Sequence, residues 1–152
     1  MASIASKRIL RPSIRPTFLH LYTAPYSGCS ARVRITAALK KIPEKIKMEY
    51  HTIDYRGGEH QEEAYKKLNP NMSLPTLVVE YPDGEETRSI TITQSLAILD
   101  WLEHWFPEPA LLPSVNEEDP ASWADRARIW ELASLVACDI QPPQSTRIPE
   151  ED

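Results

Sequence analysis

The chain has 152 residues, with 17 Lys and Arg against 22 Asp and Glu, for a formal net charge of −5. That length suits one average domain, or a small domain with a fragment of another, and the acidic balance argues against a protein that grips nucleic-acid phosphates. Fourteen prolines against four glycines leave turn-making largely to proline, and neither GxGxxG nor GxxxxGKS occurs, which removes the usual dinucleotide and P-loop cradles.

Residues 1–16 form a basic leader with Lys7, Arg8, Arg11 and Arg15 and no acid, expected to be a loose N-terminal tail. Phe18 to Tyr22 reads as a short buried strand, ended by Pro25 and Gly28. Cys29 to Ile42 reads as a helix whose apolar stripe is Val33, Ile35, Ala38, Leu39 and Ile42, with Lys40 and Lys41 around it. Met48 to Ile53 alternates as a second strand. Gly57-Gly58 marks a turn, and Gln61 to Leu68 is a short helix stopped by Asn69-Pro70. Thr76 to Glu80 is a third strand, Tyr81 to Gly84 a turn, and Thr87 to Ile92 a fourth strand, so these two form a hairpin. Thr93 opens a helix to about Phe106, with Leu96, Ile98, Leu99 and Leu102 toward a core. The order β-α-β-α-β-β-α is that of an α/β, thioredoxin-like domain over residues 17–106. Residues 107–119 read as a linker, and Pro120 to about Ile140 as a helix with Asp119 as N-cap. That helix is apolar around much of its girth, so it expects neighbours on several sides. Residues 120–152 therefore look like a shortened helical domain covered by further chain or by a second subunit.

Cys29 and Cys138 lie far apart, and no secretory segment or apolar run of about 18 residues is present. The expectation is a cytoplasmic protein with free thiols and no membrane span. The histidines, His20, His51, His60 and His104, are scattered without a cysteine at zinc spacing, so they read as surface or packing residues and no metal is expected.

Three places carry chemistry. Ser27-Gly28-Cys29-Ser30 lies where a strand turns into a helix, whose free N–H groups and positive dipole end stabilise an anion, including a thiolate. The hydroxyls of Ser27 and Ser30 can donate to it, and Arg32 adds positive charge. The plainer alternative makes Ser27 an N-cap and Cys29 a small buried residue. The motif is not CxxC, which disfavours a dithiol oxidoreductase. Leu74-Pro75 precedes a strand, where in this fold the bond is usually cis and presents the Leu74 backbone to a peptide-like ligand. Thr93-Gln94-Ser95 starts a helix and offers a carboxylate site. Together they suit a short peptide with a thiol and a free carboxylate, as in glutathione.

At this point the chain resembles the zeta class of glutathione transferases, which includes maleylacetoacetate isomerase. Residues 27–35 (SGCSARVRI) resemble the signature S-S-C-S-x-R-V-R-I. Leu68-Asn69-Pro70 with Leu74-Pro75-Thr76-Leu77 is similar to L-N-P and V-P-T-L, Ile92 to Leu99 to I-x-Q-S-L-A-I, Leu111-Leu112-Pro113 to the linker motif, and Ala137 to Pro142 to A-x-x-I-Q-P. The resemblance implies glutathione as cofactor. It implies that Ser27 bonds the thiolate, Cys29 lines the thiol site, and Leu74 holds the cysteinyl backbone. It further implies that Gln94 and Ser95 bind the γ-glutamyl carboxylate, that His60 or Gln61 reaches the glycyl end, and that Gln141 lies near the second substrate. The implied chemistry is thiolate addition to an unsaturated keto acid, rotation and elimination, with glutathione returned. The implied assembly is a homodimer. Two departures stand out: Gly28 replaces the second signature serine, and the helices that follow the Gln-Pro motif in the family are not in this sequence. With them goes the arginine that grips substrate carboxylate, which has no counterpart here; Arg147 is near in sequence but has no assigned place. A non-catalytic glutathione-binding or dimerising subunit, an isomerase of another metabolite, and a redox role for Cys29 are the competing readings.

Overall fold

The computed structural model describes residues 14–116 and 118–142. The basic residues Lys7, Arg8 and Arg11, the acidic C-terminal stretch and Arg147 lie outside the described residues. Strand β1 (Phe18–Thr23) leads into helix α1 (Gly28–Leu39), short helix α2 (Ile42–Lys45) and strand β2 (Lys47–Thr52). A 3₁₀ turn (Glu59–Gln61) and helix α3 (Glu63–Leu68) follow, then strands β3 (Thr76–Asp83) and β4 (Glu86–Thr93), helix α4 (Ser95–Trp105) and helix α5 (Pro120–Leu135). The strands form one mixed sheet in the order β2-β1-β3-β4. β1 runs parallel to β2 and antiparallel to β3, and β3 pairs antiparallel with β4. This is a thioredoxin-like arrangement.

Side chains alternate across the sheet. Leu19 and Leu21 of β1, with Leu77 and Val79 of β3, point to one face and pack against Val33 and Ala37 of α1 and Ile98 and Leu102 of α4. The opposite face carries a smaller cluster of Ala24, Ile53, Tyr65 and Leu74, roofed in part by α3.

Four expectations are corrected. Helix α1 stops at Leu39, not Ile42, because Lys41 takes a left-handed conformation (φ 52°) and Pro43 lies at the start of a new helix, where its missing N–H costs nothing. Its buried face is Ser30, Val33, Thr36 and Ala37, while Ile35 and Leu39 are exposed. Lys40, expected in solvent, is fully buried. The β3–β4 hairpin is longer than expected: Asp83 pairs with Glu86 across a tight Gly84-Glu85 turn, with Gly84 at φ 66°. Pro82 is tolerated inside β3 because β1 pairs only as far as Glu80, so its missing N–H removes no central ladder bond. α5 begins as expected, with the Asp119 carboxylate accepting from the Ala121 N–H at 2.9 Å. It then relaxes into a π turn over Val136–Ile140. None of its residues is buried. Among the described residues no helix is long and apolar enough to cross a membrane.

Candidate functional site

The sheet register brings the three sequence segments together. Tyr22 stands opposite Thr76, and Thr76 opposite Thr93. The residues just after β1, just before β3 and just after β4 therefore meet at one edge of the sheet.

The loop after β1 is pinned from α1. The Arg34 guanidinium donates to Thr23 Oγ1 at 2.6 Å, to the Ala24 carbonyl at 2.9 Å and to the Pro25 carbonyl at 3.1 Å. Ser27 then caps α1: its Oγ accepts from the Ser30 N–H at 3.2 Å, so the hydroxyl hydrogen remains to donate elsewhere. Among the described residues, the Gly28 and Cys29 N–H groups have no backbone partner. The open helix end thus carries two N–H donors and one O–H donor. Ser30 does not join them. It is fully buried on the core side of α1, and its Oγ has no hydrogen-bond partner among the described residues, which corrects the expectation that it donates to a thiolate.

Cys29 is half-buried, and its thiol donates to Gln141 Oε1 at 2.9 Å. Arg32 ties the site together: one guanidinium nitrogen donates to Ser95 Oγ at 3.0 Å and lies 4.0 Å from Cys29 Sγ, and the other donates to Gln141 Oε1 at 3.0 Å. One arginine therefore joins the starts of α1 and α4 to the segment after α5. Gln94 adopts φ 73° at the junction of β4 and α4 and has no side-chain cap. A non-glycine residue there carries roughly 1–3 kcal/mol of backbone strain, of a kind concentrated at ligand clamps. Ser95 is buried beside it.

The Leu74–Pro75 bond is cis. Leu74 has no backbone partner among the described residues. The loop holding it rests on a buried network that motif reading missed. Asn69 Nδ2 donates to the Ser73 carbonyl at 2.8 Å and to Thr76 Oγ1 at 2.9 Å, and the Tyr65 hydroxyl donates to the Ser73 carbonyl at 2.8 Å. Burial pushes the Tyr65 phenol up, against the opposing bonds to Thr76 and Asn69, so it remains a donor. The signal for this network was the Leu-Asn-Pro motif, whose asparagine reads from sequence as a helix stop. Of the two residues expected at the far end, His60 is buried and stacked on Tyr55 at 3.9 Å between ring centroids, and Gln61 is exposed.

A family model described as the N-terminal domain of glutathione S-transferase matches residues 26–105. The chain belongs to the glutathione S-transferase family. Among relatives of this transferase domain, a maleylacetoacetate isomerase of Emericella nidulans is 40% identical over 131 residues, covering 84% of this chain and 52% of the relative. A maleylpyruvate isomerase of a Ralstonia species is 37% identical, covering 87% of this chain and 53% of its own. A crystal structure of maleylacetoacetate isomerase from Anaeromyxobacter dehalogenans with bound glutathione superposes with a TM-score of 0.65 at 38% identity, covering 88% of this chain and 54% of that one. The holo structure of a zeta-class maleylpyruvate isomerase also scores 0.65. The chain spans about half the length of the curated relatives it matches.

Proposed function

We propose that this transferase domain binds glutathione and serves the glutathione-dependent cis–trans isomerisation of an unsaturated keto acid, maleylacetoacetate or a close analogue. The convergence of Ser27, Cys29 and Arg32 with Leu74, Gln94 and Ser95 at one sheet edge carries the reading. The isomerase names of relatives up to 40% identical support it. The residues fit the tripeptide: an open helix end with a spare Ser27 hydroxyl for sulfur, the unpaired Leu74 backbone for a peptide group, and the strained Gln94 with Ser95 for a carboxylate. Bound there, glutathione would supply a thiolate that adds reversibly to the activated double bond and leaves once the bond has rotated. Ser27 donates to the sulfur and lowers the cost of its charge. Arg32 supplies fixed positive charge near Cys29 and holds Ser95 in place. Gln141 presents an amide beside Cys29 on the side open to the second substrate. Gly28, where the signature has serine, leaves one hydroxyl fewer at the sulfur.

Calorimetric titration with glutathione tests the reading. Binding in the micromolar-to-millimolar range that weakens about 10-fold or more in Ser27→Ala supports it, since a hydrogen bond to a charged group is worth roughly 1.5–3 kcal/mol. No heat at millimolar glutathione would sink it. A second reading, a glutathione-binding subunit that dimerises through α5, is favoured by the exposure of Trp123, Leu132 and Leu135 along that helix. Sedimentation decides the homodimer. A cytoplasmic location rests on the two free cysteines, Cys29 and Cys138, which suit a reducing compartment.

A further inference from the structure

The sheet face opposite α1 and α4 holds a second cluster of reactive side chains. His20 of β1 lies beside Glu49 in the parallel register with β2, and His51 follows two residues on, so all three point to the same face. His20 Nδ1 stands 3.1 Å from His51 Nε2. The Glu49 carboxylate lies 3.9 Å from each of these nitrogens. The other ring nitrogen of His20 lies 3.1 Å from Glu80 Oε1 of β3. The rings are braced: Tyr22 stacks on His51 at 4.6 Å and 19°, and Phe18 lies 4.0 Å from His20. The cluster is open to solvent, with His51 and Glu49 side chains 34% and 48% exposed.

We propose that His20, Glu49 and His51 form a site for a divalent borderline metal ion of the zinc class, separate from the glutathione site. Two imidazole nitrogens at 3.1 Å require something between them, because two lone pairs at that distance repel. A shared proton or a cation satisfies both. Glu80 decides the tautomer: with Nε2–H of His20 donated to its carboxylate, Nδ1 carries the lone pair. A carboxylate behind a histidine in this way is the outer-shell arrangement that orients metal-binding imidazoles. The spacing suits an ion. With metal–nitrogen bonds of about 2.0–2.1 Å, two tetrahedral ligands sit roughly 3.3 Å apart. Glu49 needs to close by about half an ångström, which a half-exposed side chain does by rotation.

The charges also favour a dication. Glu49 and Glu80 face the two imidazoles, and Lys47 lies 3.6 Å from Glu49 Oε1, the carboxylate oxygen turned away from the histidines. Two nitrogens and one oxygen select zinc, copper or nickel over magnesium or calcium, which prefer all-oxygen shells. Three protein ligands leave a fourth position for water. An ion held there would tie the edge strand β2 to β1, which fastens an otherwise half-paired strand.

The test is calorimetric titration of the metal-free 152-residue chain with zinc chloride at pH 7.5. It is carried out on a Cys29→Ser/Cys138→Ser background so that thiols do not compete. The expected result is one ion per chain, at least 100-fold weaker binding in His51→Ala, and about 10- to 100-fold weaker binding in Glu80→Gln, the range for outer-shell partners. Cobalt loaded in place of zinc should give visible absorption of a nitrogen–oxygen site that is absent in Glu49→Gln, a surface change that leaves folding intact. No binding at millimolar zinc overturns the proposal, as does binding unchanged in both His51→Ala and Glu49→Gln.

Discussion

Lys40 is the residue whose environment most sharply contradicts its type, and it supports a quantitative test. Its side chain is fully buried. Its ammonium lies 2.6 Å from Glu103 Oε2 and donates to the Phe106 and Pro109 carbonyls, each at 2.8 Å. Glu103 in turn accepts from the Leu111 N–H at 3.0 Å and the Leu112 N–H at 3.2 Å. The pair thus fastens the end of α1 to α4 and to the segment that leaves α4. Glu103→Gln keeps the shape and removes the counter-charge. Stranding a buried charge costs roughly 3–5 kcal/mol, and because Glu103 is 13% exposed the lower end applies, about 3 kcal/mol. For a chain of this size that is a fall in Tm of roughly 6–12 °C. Lys40→Met with Glu103→Leu removes both charges and should recover to within about 2 kcal/mol of the parent, since a buried pair replaced by apolar groups is often close to neutral. The pH dependence adds a second readout. Burial alone would push the Glu103 carboxyl up, but the bonds from Lys40 and from the 111 and 112 amides outweigh it and hold it below its usual value. A depressed carboxylate contributes stability that is complete above its unfolded pKa of about 4.3 and is lost as pH falls through the folded value. The gap between parent and Glu103→Gln in urea melts should therefore be full at pH 6 and shrink below about pH 4. A gap under about 1 kcal/mol at pH 6, or a double variant as unstable as Glu103→Gln, would refute the argument.

On the proposed isomerase reading, Gly28→Ser should raise kcat/KM by about 10-fold, because among the described residues a Cβ there meets only Gln141 Nε2 at 3.8 Å and a hydroxyl bonded to a thiolate is worth at least about 1.5 kcal/mol. Unchanged rates in a variant that still binds glutathione would place that hydroxyl outside the reaction. Ser30→Ala should leave glutathione affinity unaltered and stabilise the fold by up to about 1 kcal/mol in chemical denaturation, since it removes an unpartnered buried hydroxyl and introduces a better helix former. Loss of binding instead would show that Ser30 reaches the ligand. Asn69→Ala should cost about 2–3 kcal/mol and weaken glutathione binding through Leu74, because the Asn71 N–H loses its partner and the Ser73 carbonyl and Thr76 hydroxyl each lose one of their bonds. Loss of stability with unaltered binding would show that the loop needs no such support.

Much of this was legible from residue order. The alternation in Phe18 to Tyr22 and Thr76 to Glu80 reports which side chains face the core, because a sheet side chain's direction depends only on parity. The helix starts at Ser27 and Asp119 were equally plain, since capping is decided within a few residues. What escaped notice depends on distant partners. Lys40 reads as solvated because Glu103 lies more than 60 residues on. Ser30 and Thr36 read as polar, yet both are small enough to lie against the core, which rotates the buried face of α1 away from Ile35 and Leu39. His20 and His51 look unrelated until the parallel pairing sets them side by side.

The same pairing explains why the transferase site has its form. Leu74 reaches the open end of α1 because Tyr22 stands opposite Thr76, and Gln94 reaches both because Thr76 stands opposite Thr93. A strand advances about 3.3 Å per residue, so a two-residue slip of β3 would carry Leu74 roughly 6–7 Å along the sheet while leaving every apolar side chain on its proper face. The hydrophobic pattern therefore does not by itself hold the site together. The Tyr65–Asn69–Ser73–Thr76 network adds a local constraint, because its bonds tie the loop before β3 to α3 and so fix where Leu74 stands relative to Thr76. That gives the Leu-Asn-Pro motif a role beyond stopping a helix: it shapes the loop that carries the cis Leu74–Pro75 bond.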